Sequence, residues 1–263
     1  MPSAKAMPEA HAALSSGPVR VGMERLADID DLIRRELRGD VLVIGGKPLT
    51  SEEASRLRSL EPRPNAILAV HLEHAERLLD CGVVDAVDWI FTYIHGYDGS
   101  ALSRLVFLAG FCRRHPRTRL LLYLIRDFDP SHAWEPFCAN VQRVADFYGL
   151  ELPPLTIWSL DLDRLTYLSL QHRHPALRTR LNPEGCMTTG LLLLESLIHN
   201  GCRPSICGFT LDGAVEGRQP LWHDLPGESA WLAEAVATRH LRPLTATLHN
   251  LHRNRPSNTL TDH

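Results

Sequence analysis

A chain of 263 residues, with 28 basic and 31 acidic side chains, 14 histidines and 6 cysteines, has room for one large domain or two small ones at about 100–200 residues each. Its formal charge of -3 excludes a general basic field for gripping nucleic acid or an anionic membrane, although a local basic patch stays open. With 44% hydrophobic and 22% charged residues it can build a core, yet no window approaches the roughly 18 uncharged apolar residues a membrane span needs, so any membrane contact is expected to be peripheral.

Residues 1–20, rich in Ala, Pro and Ser, and residues 250–263 hold little that can enter a core, and both are expected as tails around one domain at 21–249. The stretch MPSAKAMPEAHAALSSGPVR lacks the apolar run of a secretory signal or anchor, which predicts a cytoplasmic location. Cysteines 81, 112, 138, 186, 202 and 207 contain no CxxC pair, so reduced, mostly buried thiols are expected rather than a zinc ribbon.

In chain order, Leu26, Ile29, Ile33 and Leu37 recur at helical spacing and predict one helix over 23–38. DVLVIGG (40–46) reads as the first strand, SEEASRLRSL (51–60) as a helix capped by Thr50 or Ser51, and NAILAVHL (65–72) as a buried strand. VDWIFTYI (87–94) is β-branched and aromatic, SALSRLVFLAGFCRRH (100–115) is helical, and TRLLLYLIRDF (118–128) holds a strand apolar on both faces, which needs cover on two sides. A helix near 132–148, a strand at 155–160, a short helix from Asp161 and a loop with two histidines follow. A helix from about Thr188, a strand SICGFT (205–210), a Gly- and Pro-rich loop (211–227) and a helix over 229–240 complete the pattern. Repeated β-α units predict a single α/β, Rossmann-like domain, a mainly parallel sheet with helices on both faces. In such sheets ligands bind beyond the carboxyl ends of the strands, so the residues there are the candidates.

Gly45, Gly46, Lys47 and Pro48 follow the first predicted strand. Paired glycines let backbone approach a phosphate and Lys47 adds charge; but the stretch is neither GxGxxG nor a Walker loop, and a plain tight turn fits as well. Thr188, Thr189 and Gly190 open an apolar helix, where unpaired N–H groups and the helix dipole favour an anion, or where a threonine simply caps. His223 lies in a loop and Glu228 at the start of the last helix. A loop histidine facing an anion site suits a general base, while an acidic residue in a first turn serves as dipole partner or cap.

Other constellations compete. Asp127-Phe128-Asp129 and Asp161-Leu162-Asp163 each spell DxD, the pattern by which many nucleotide-sugar transferases hold a divalent cation, though both also read as turn or cap. His71, His74, His172 and His174 lack the spacing of a zinc site and are expected as solvated loop residues, with His71 near a strand end. His95, Tyr97 and Asp98 form a contact loop or a turn, Glu195 is expected at a helix edge, and no G-x-S-x-G elbow is present.

Together, Thr188-Thr189-Gly190, the apolar Leu191 to Ile198, the strand Ile206 to Phe209, and the H-x4-E spacing of His223 and Glu228 resemble the small and very small motifs of the sialyltransferases over about 60 residues, 182 to 240. VLVIGGKPL resembles the start of that family's large motif. Gly46 stands where the family usually has Asn, EGCM separates Pro183 from Thr188, and no aromatic-rich third motif lies between Phe209 and His223. The animal enzymes bridge their large and small motifs by a disulfide; here Cys202 holds the small-motif position and Asp40 the other. The resemblance implies the sialyltransferase variant of the GT-A fold and an inverting, metal-independent transfer of a sugar acid, sialic acid or Kdo, from its CMP-activated donor to a glycan hydroxyl. It implies His223 as general base, Glu228 as a supporting residue, and Gly45, Gly46, Lys47, Thr188, Thr189 and Gly190 at the donor. No cofactor, metal or nucleic-acid partner is expected. A DxD-dependent transferase and an inactive nucleotide- or partner-binding module are the alternatives.

Overall fold

The computed structural model describes residues 20–26, 28–93, 99–125, 134–160, 167–173, 185–209 and 223–245. Nearly all of both expected tails lies outside this set, as do Asp127, Asp129, Asp161, Asp163, His95, Tyr97, Asp98 and His174. The elements are β1 (Met23–Leu26), α1 (Ile29–Glu36), β2 (Val41–Ile44), α2 (Ser51–Arg58), β3 (Ala66–Val70), α3 (Leu72–Asp80), β4 (Trp89–Tyr93) and α4 (Gly99–Arg114). They continue with β5 (Arg119–Ile125), α5 (Trp134–Tyr148), β6 (Leu155–Leu160), α6 (Tyr167–Arg173), α7 (Thr189–His199), β7 (Ser205–Cys207), α8 (Leu225–Ala237) and β8 (Arg242–Pro243).

All eight strands form one parallel sheet in the order β1-β6-β5-β4-β3-β2-β7-β8. This is the expected Rossmann-like architecture. From β2 to β6 the chain adds strands in one direction; it then returns to lay β7 against the far side of β2. Ile44 consequently pairs with Ala69 on one flank and Cys207 on the other. The order reverses between β2 and β7, and the helices that follow those two strands, α2 and α8, pack on opposite faces of the sheet, the arrangement that opens a crevice at the strands' carboxyl ends.

Alternation along each strand supplies two cores. Val41, Val43, Leu68, Val70, Phe91, Leu121, Tyr123 and Trp158 pack under α1, α6, α7 and α8. Leu42, Ile44, Ile67, Ala69, Ile90, Leu120, Leu122 and Ile157 pack under α2, α3, α4 and α5. Strands covered on both faces must be apolar at every position, which is why the central ones read as continuous runs.

Several elements depart from expectation. The helix over 23–38 is a strand and a shorter helix: Met23–Leu26 pairs with β6, and α1 begins after Asp28, whose side chain accepts the Asp30 N–H. An open sheet edge overrides the helical spacing there. The HLEH segment, expected as a loop, enters α3 at Leu72. The last helix starts at Leu225, four residues early, because Asp224 caps it and Pro226 fits its first turn. Strand β8 was not anticipated. All six cysteines are free thiols, but only Cys112 and Cys207 are fully buried and Cys81 is exposed. Burial pushes the Cys112 thiol up to about 11. Glu195 is not at a helix edge: it is 1% exposed within α7 and pairs with Arg173 of α6 at 2.5 Å.

Candidate active site at the switch point

The turn after β2 is joined to β7 by backbone hydrogen bonds. Gly45 N–H donates to the Cys207 carbonyl (2.8 Å) and Lys47 N–H to the Gly208 carbonyl (3.1 Å), so the chain leaving β2 remains stitched to the chain leaving β7. Glu53 closes the seam from below, one carboxylate oxygen accepting Thr50 N–H in a capping box (2.8 Å) and the other accepting Gly208 N–H (3.0 Å). Gly208 has φ +67, a left-handed conformation that glycine adopts without strain, and it ends the expected strand 205–210 at Cys207.

Above this seam lies a cavity of about 300 Å3, at the small end of ligand sites (about 300–1,000 Å3). Gly46, Lys47, Thr188, Thr189, Gly190 and Glu228 line it, so six sequence-predicted residues from three separate segments converge. Gly45 is buried beneath it, facing the Gly208 carbonyl and the Phe209 ring rather than the cavity. Phe209 lies between Gly45 and Gly190, where any Cβ would touch its ring. Val70, Leu191, Leu194, Phe209, Leu225 and Leu232 make the rest of the wall largely apolar.

The start of α7 is organised by Glu228. Thr188 donates its N–H to one carboxylate oxygen (2.9 Å) and its hydroxyl to the other (2.7 Å), while its Oγ1 accepts the Leu191 N–H (3.4 Å). Glu228 also stands in the first turn of α8, so its charge serves two helix N-termini. The N–H groups of Thr189 and Gly190 have no partner among the described residues, and the Thr189 hydroxyl meets the Tyr123 hydroxyl at 2.9 Å. His223 is half-buried and lies outside the described cavity lining, its Nδ1 2.7 Å from the Cys186 carbonyl. A carbonyl only accepts, so Nδ1 donates, and the neutral ring carries its lone pair on Nε2. Three hydrogen bonds thus tie residues 186–188 to residues 223–228 across 37 to 40 positions of sequence.

His71 was placed near a strand end, and it lines the cavity. Its backbone has φ 70 and ψ 145, a conformation that costs a non-glycine residue about 1–3 kcal/mol. Its ring meets Tyr93 edge-on at 5.9 Å, and Tyr93 lies 6.0 Å from Tyr123, so an aromatic row runs from β3 to the start of α7. His74, expected in solvent, is 8% exposed on α3, and burial beside Arg77 lowers its pKa. A lowered folded-state value makes the unfolded chain take the proton first, so stability is lost as pH falls from about 6.5 toward that lower value. Urea unfolding across pH 5 to 7 is therefore expected to show a weaker acid-side decline for His74→Leu than for wild type; parallel curves would remove His74 from the explanation. His172 closes α6, and Phe209, Ser229 and Leu232 are wall residues that the motifs did not mark as contacts. The i, i+4, i+7 spacing of Leu225, Ser229 and Leu232 on α8 was the available signal.

Fold and site together define an α/β protein with an open parallel sheet and a ligand-sized cavity at its topological switch point. No model of a known protein family matches the chain, and no curated protein matches it. Among the described residues, no helix is long and apolar enough to cross a membrane.

Proposed function

We propose that the protein is a glycosyltransferase similar to the sialyltransferases, moving a sugar acid from its CMP-activated donor to a glycan hydroxyl with inversion and without a metal. The observation that carries this reading is the hydrogen-bonded union of Thr188 with Glu228, both lining the switch-point cavity, and of Cys186 with His223 in the adjoining stretches of chain. Two stretches that resemble consecutive family motifs thereby become one device.

In this reading the apolar wall takes the nucleobase. Lys47 and the N–H groups of Thr189 and Gly190 face the phosphate; Thr188 does not, because Glu228 already occupies its donors. His223 Nε2 takes the proton of the acceptor hydroxyl as that oxygen attacks the anomeric carbon. The bond from that carbon to the phosphate oxygen breaks, and CMP leaves with the electron pair. The Cys186 carbonyl holds the ring in the required tautomer and stabilises the imidazolium that forms. Glu228 is a positioning residue, acting through Thr188.

The test is CMP release from CMP-sialic acid and from CMP-Kdo, each with a panel of sugar acceptors, with and without EDTA. Release that survives EDTA is expected from one donor. Release abolished by EDTA would favour a DxD-dependent enzyme, and CMP binding without any release would favour a binding module.

A further inference from the structure

A second cavity of about 310 Å3 adjoins the first and shares Gly46 and His71 with it. Its remaining walls come from α3 and β4: Glu73, His74, Arg77 and Tyr93. The two compartments differ in chemistry, since the first is walled mainly by Leu, Val and Phe and the second by charged, imidazole and phenol groups. We propose that this annex receives the anionic sugar end of the donor, with Arg77 as the partner of the carboxylate attached to the anomeric carbon. The inference rests on the CMP-sugar reading above.

Four observations point this way. First, Glu228 occupies both donors of Thr188, so the residue that caps α7 has no hydrogen-bond donor left for the sugar carboxylate. Second, the cations on the two cavities, Lys47 and Arg77, form no ion pair with any described residue, and they stand on either side of the shared Gly46 and His71. A phosphate beside Lys47 leaves a carboxylate one carbon away near the shared wall, on the Arg77 side. Third, α3 opens onto the annex without a side-chain cap, and the N–H groups of Leu72, Glu73 and His74 have no partner among the described residues. Fourth, His74 is 8% exposed, and its Nε2 is sealed from solvent without a hydrogen-bond partner. Glu73 stands in the first turn of α3, where the helix dipole offsets its charge, so it opposes the carboxylate weakly.

The experiment compares CMP with the intact CMP-sugar on wild type, Arg77→Gln and Arg77→Lys by titration calorimetry. CMP lacks the sugar carboxylate, so its affinity is expected to change by less than about threefold in Arg77→Gln. CMP-sugar affinity is expected to fall by about 10- to 100-fold, the worth of a charge-assisted hydrogen bond, and to recover in part with Arg77→Lys. Arg77 is exposed and forms no ion pair with a described residue, and matched unfolding curves establish that the variants fold. If CMP binds but Arg77→Gln weakens both ligands equally or neither, the annex assignment falls and the CMP reading stands. If wild type binds neither ligand, both fall.

Discussion

Replacing His223 with Ala is expected to lower the rate of CMP release by about 10²–10⁴-fold, the usual worth of a positioned general base, while CMP affinity stays within about threefold of wild type. The split between rate and binding follows from the geometry. His223 lies outside the described lining of the cavity, and its Nδ1 is used by the Cys186 carbonyl, so its loss removes a proton acceptor without removing a wall. Single-turnover release and equilibrium binding, measured on the same protein, separate the two effects. A rate within about threefold of wild type would transfer the base role to another group. His71, strained and shared by both cavities, is then the first alternative.

Glu228 gives the same site a different sensitivity. Glu228 is 8% exposed, and its carboxylate accepts both donors of Thr188. Loss of that acceptor leaves the half-buried N–H and hydroxyl of Thr188 unpaired, each at a cost of at most about 1–3 kcal/mol, the figure for a fully buried group. The start of α7 and the start of α8 would loosen together. A change at Glu228 therefore mixes stability with rate more strongly than a change at His223, which gives up the one hydrogen bond to the Cys186 carbonyl.

What could be read in the amino acids follows from which forces act locally. β2, β3 and β5 were legible because strands covered on both faces must be apolar throughout, and the start of α2 was legible as Thr50 or Ser51, between which the capping box of Thr50 with Glu53 decides. The start of α1 was not: Leu26 is buried equally well in a strand or a helix, and only the vacancy beside β6 decides between them. The α3 helix was hidden by its polar first turn and by a non-glycine residue at positive φ, for which no local signal exists. Chain order placed Gly46, Lys47, Thr188, Thr189, Gly190 and Glu228 after strand ends, and the switch point gathered them. The partnership of Glu228 with Thr188 spans 40 residues and exists only after the sheet has formed. Gly45 was grouped with Gly46 because adjacent glycines look alike in a sequence, yet backbone packing gives them different work.

That difference leads to the largest stability effect expected in the molecule, at Gly45. A Cβ there would press inside contact distance of the Gly208 carbonyl oxygen and stand 2.9 Å from the Phe209 ring. Neither neighbour has an easy retreat. The Gly208 backbone is held by Glu53 and by Lys47 N–H, and Phe209 already touches the position a Gly190 Cβ would occupy at 3.0 Å. β2 must therefore move from β7, weakening the Gly45 N–H bond to Cys207 as well. Overpacking and one lost buried hydrogen bond together suggest a loss of about 3 kcal/mol, or about 6–12 °C in Tm for a domain of this size. At Gly46 an added methyl group meets only His71 Cδ2, at an ordinary 3.5 Å, and no positive φ forbids it, so Gly46→Ala is expected within about 0.5 kcal/mol of wild type. Urea and thermal unfolding of the two variants side by side test the argument. Equal stability would mean that the β2–β7 seam tolerates separation, and that the crevice is not held by the close approach of Gly45 and Gly208. A fall at Gly45 alone would place the rigidity of the cavity floor in two backbones packed too closely for any side chain.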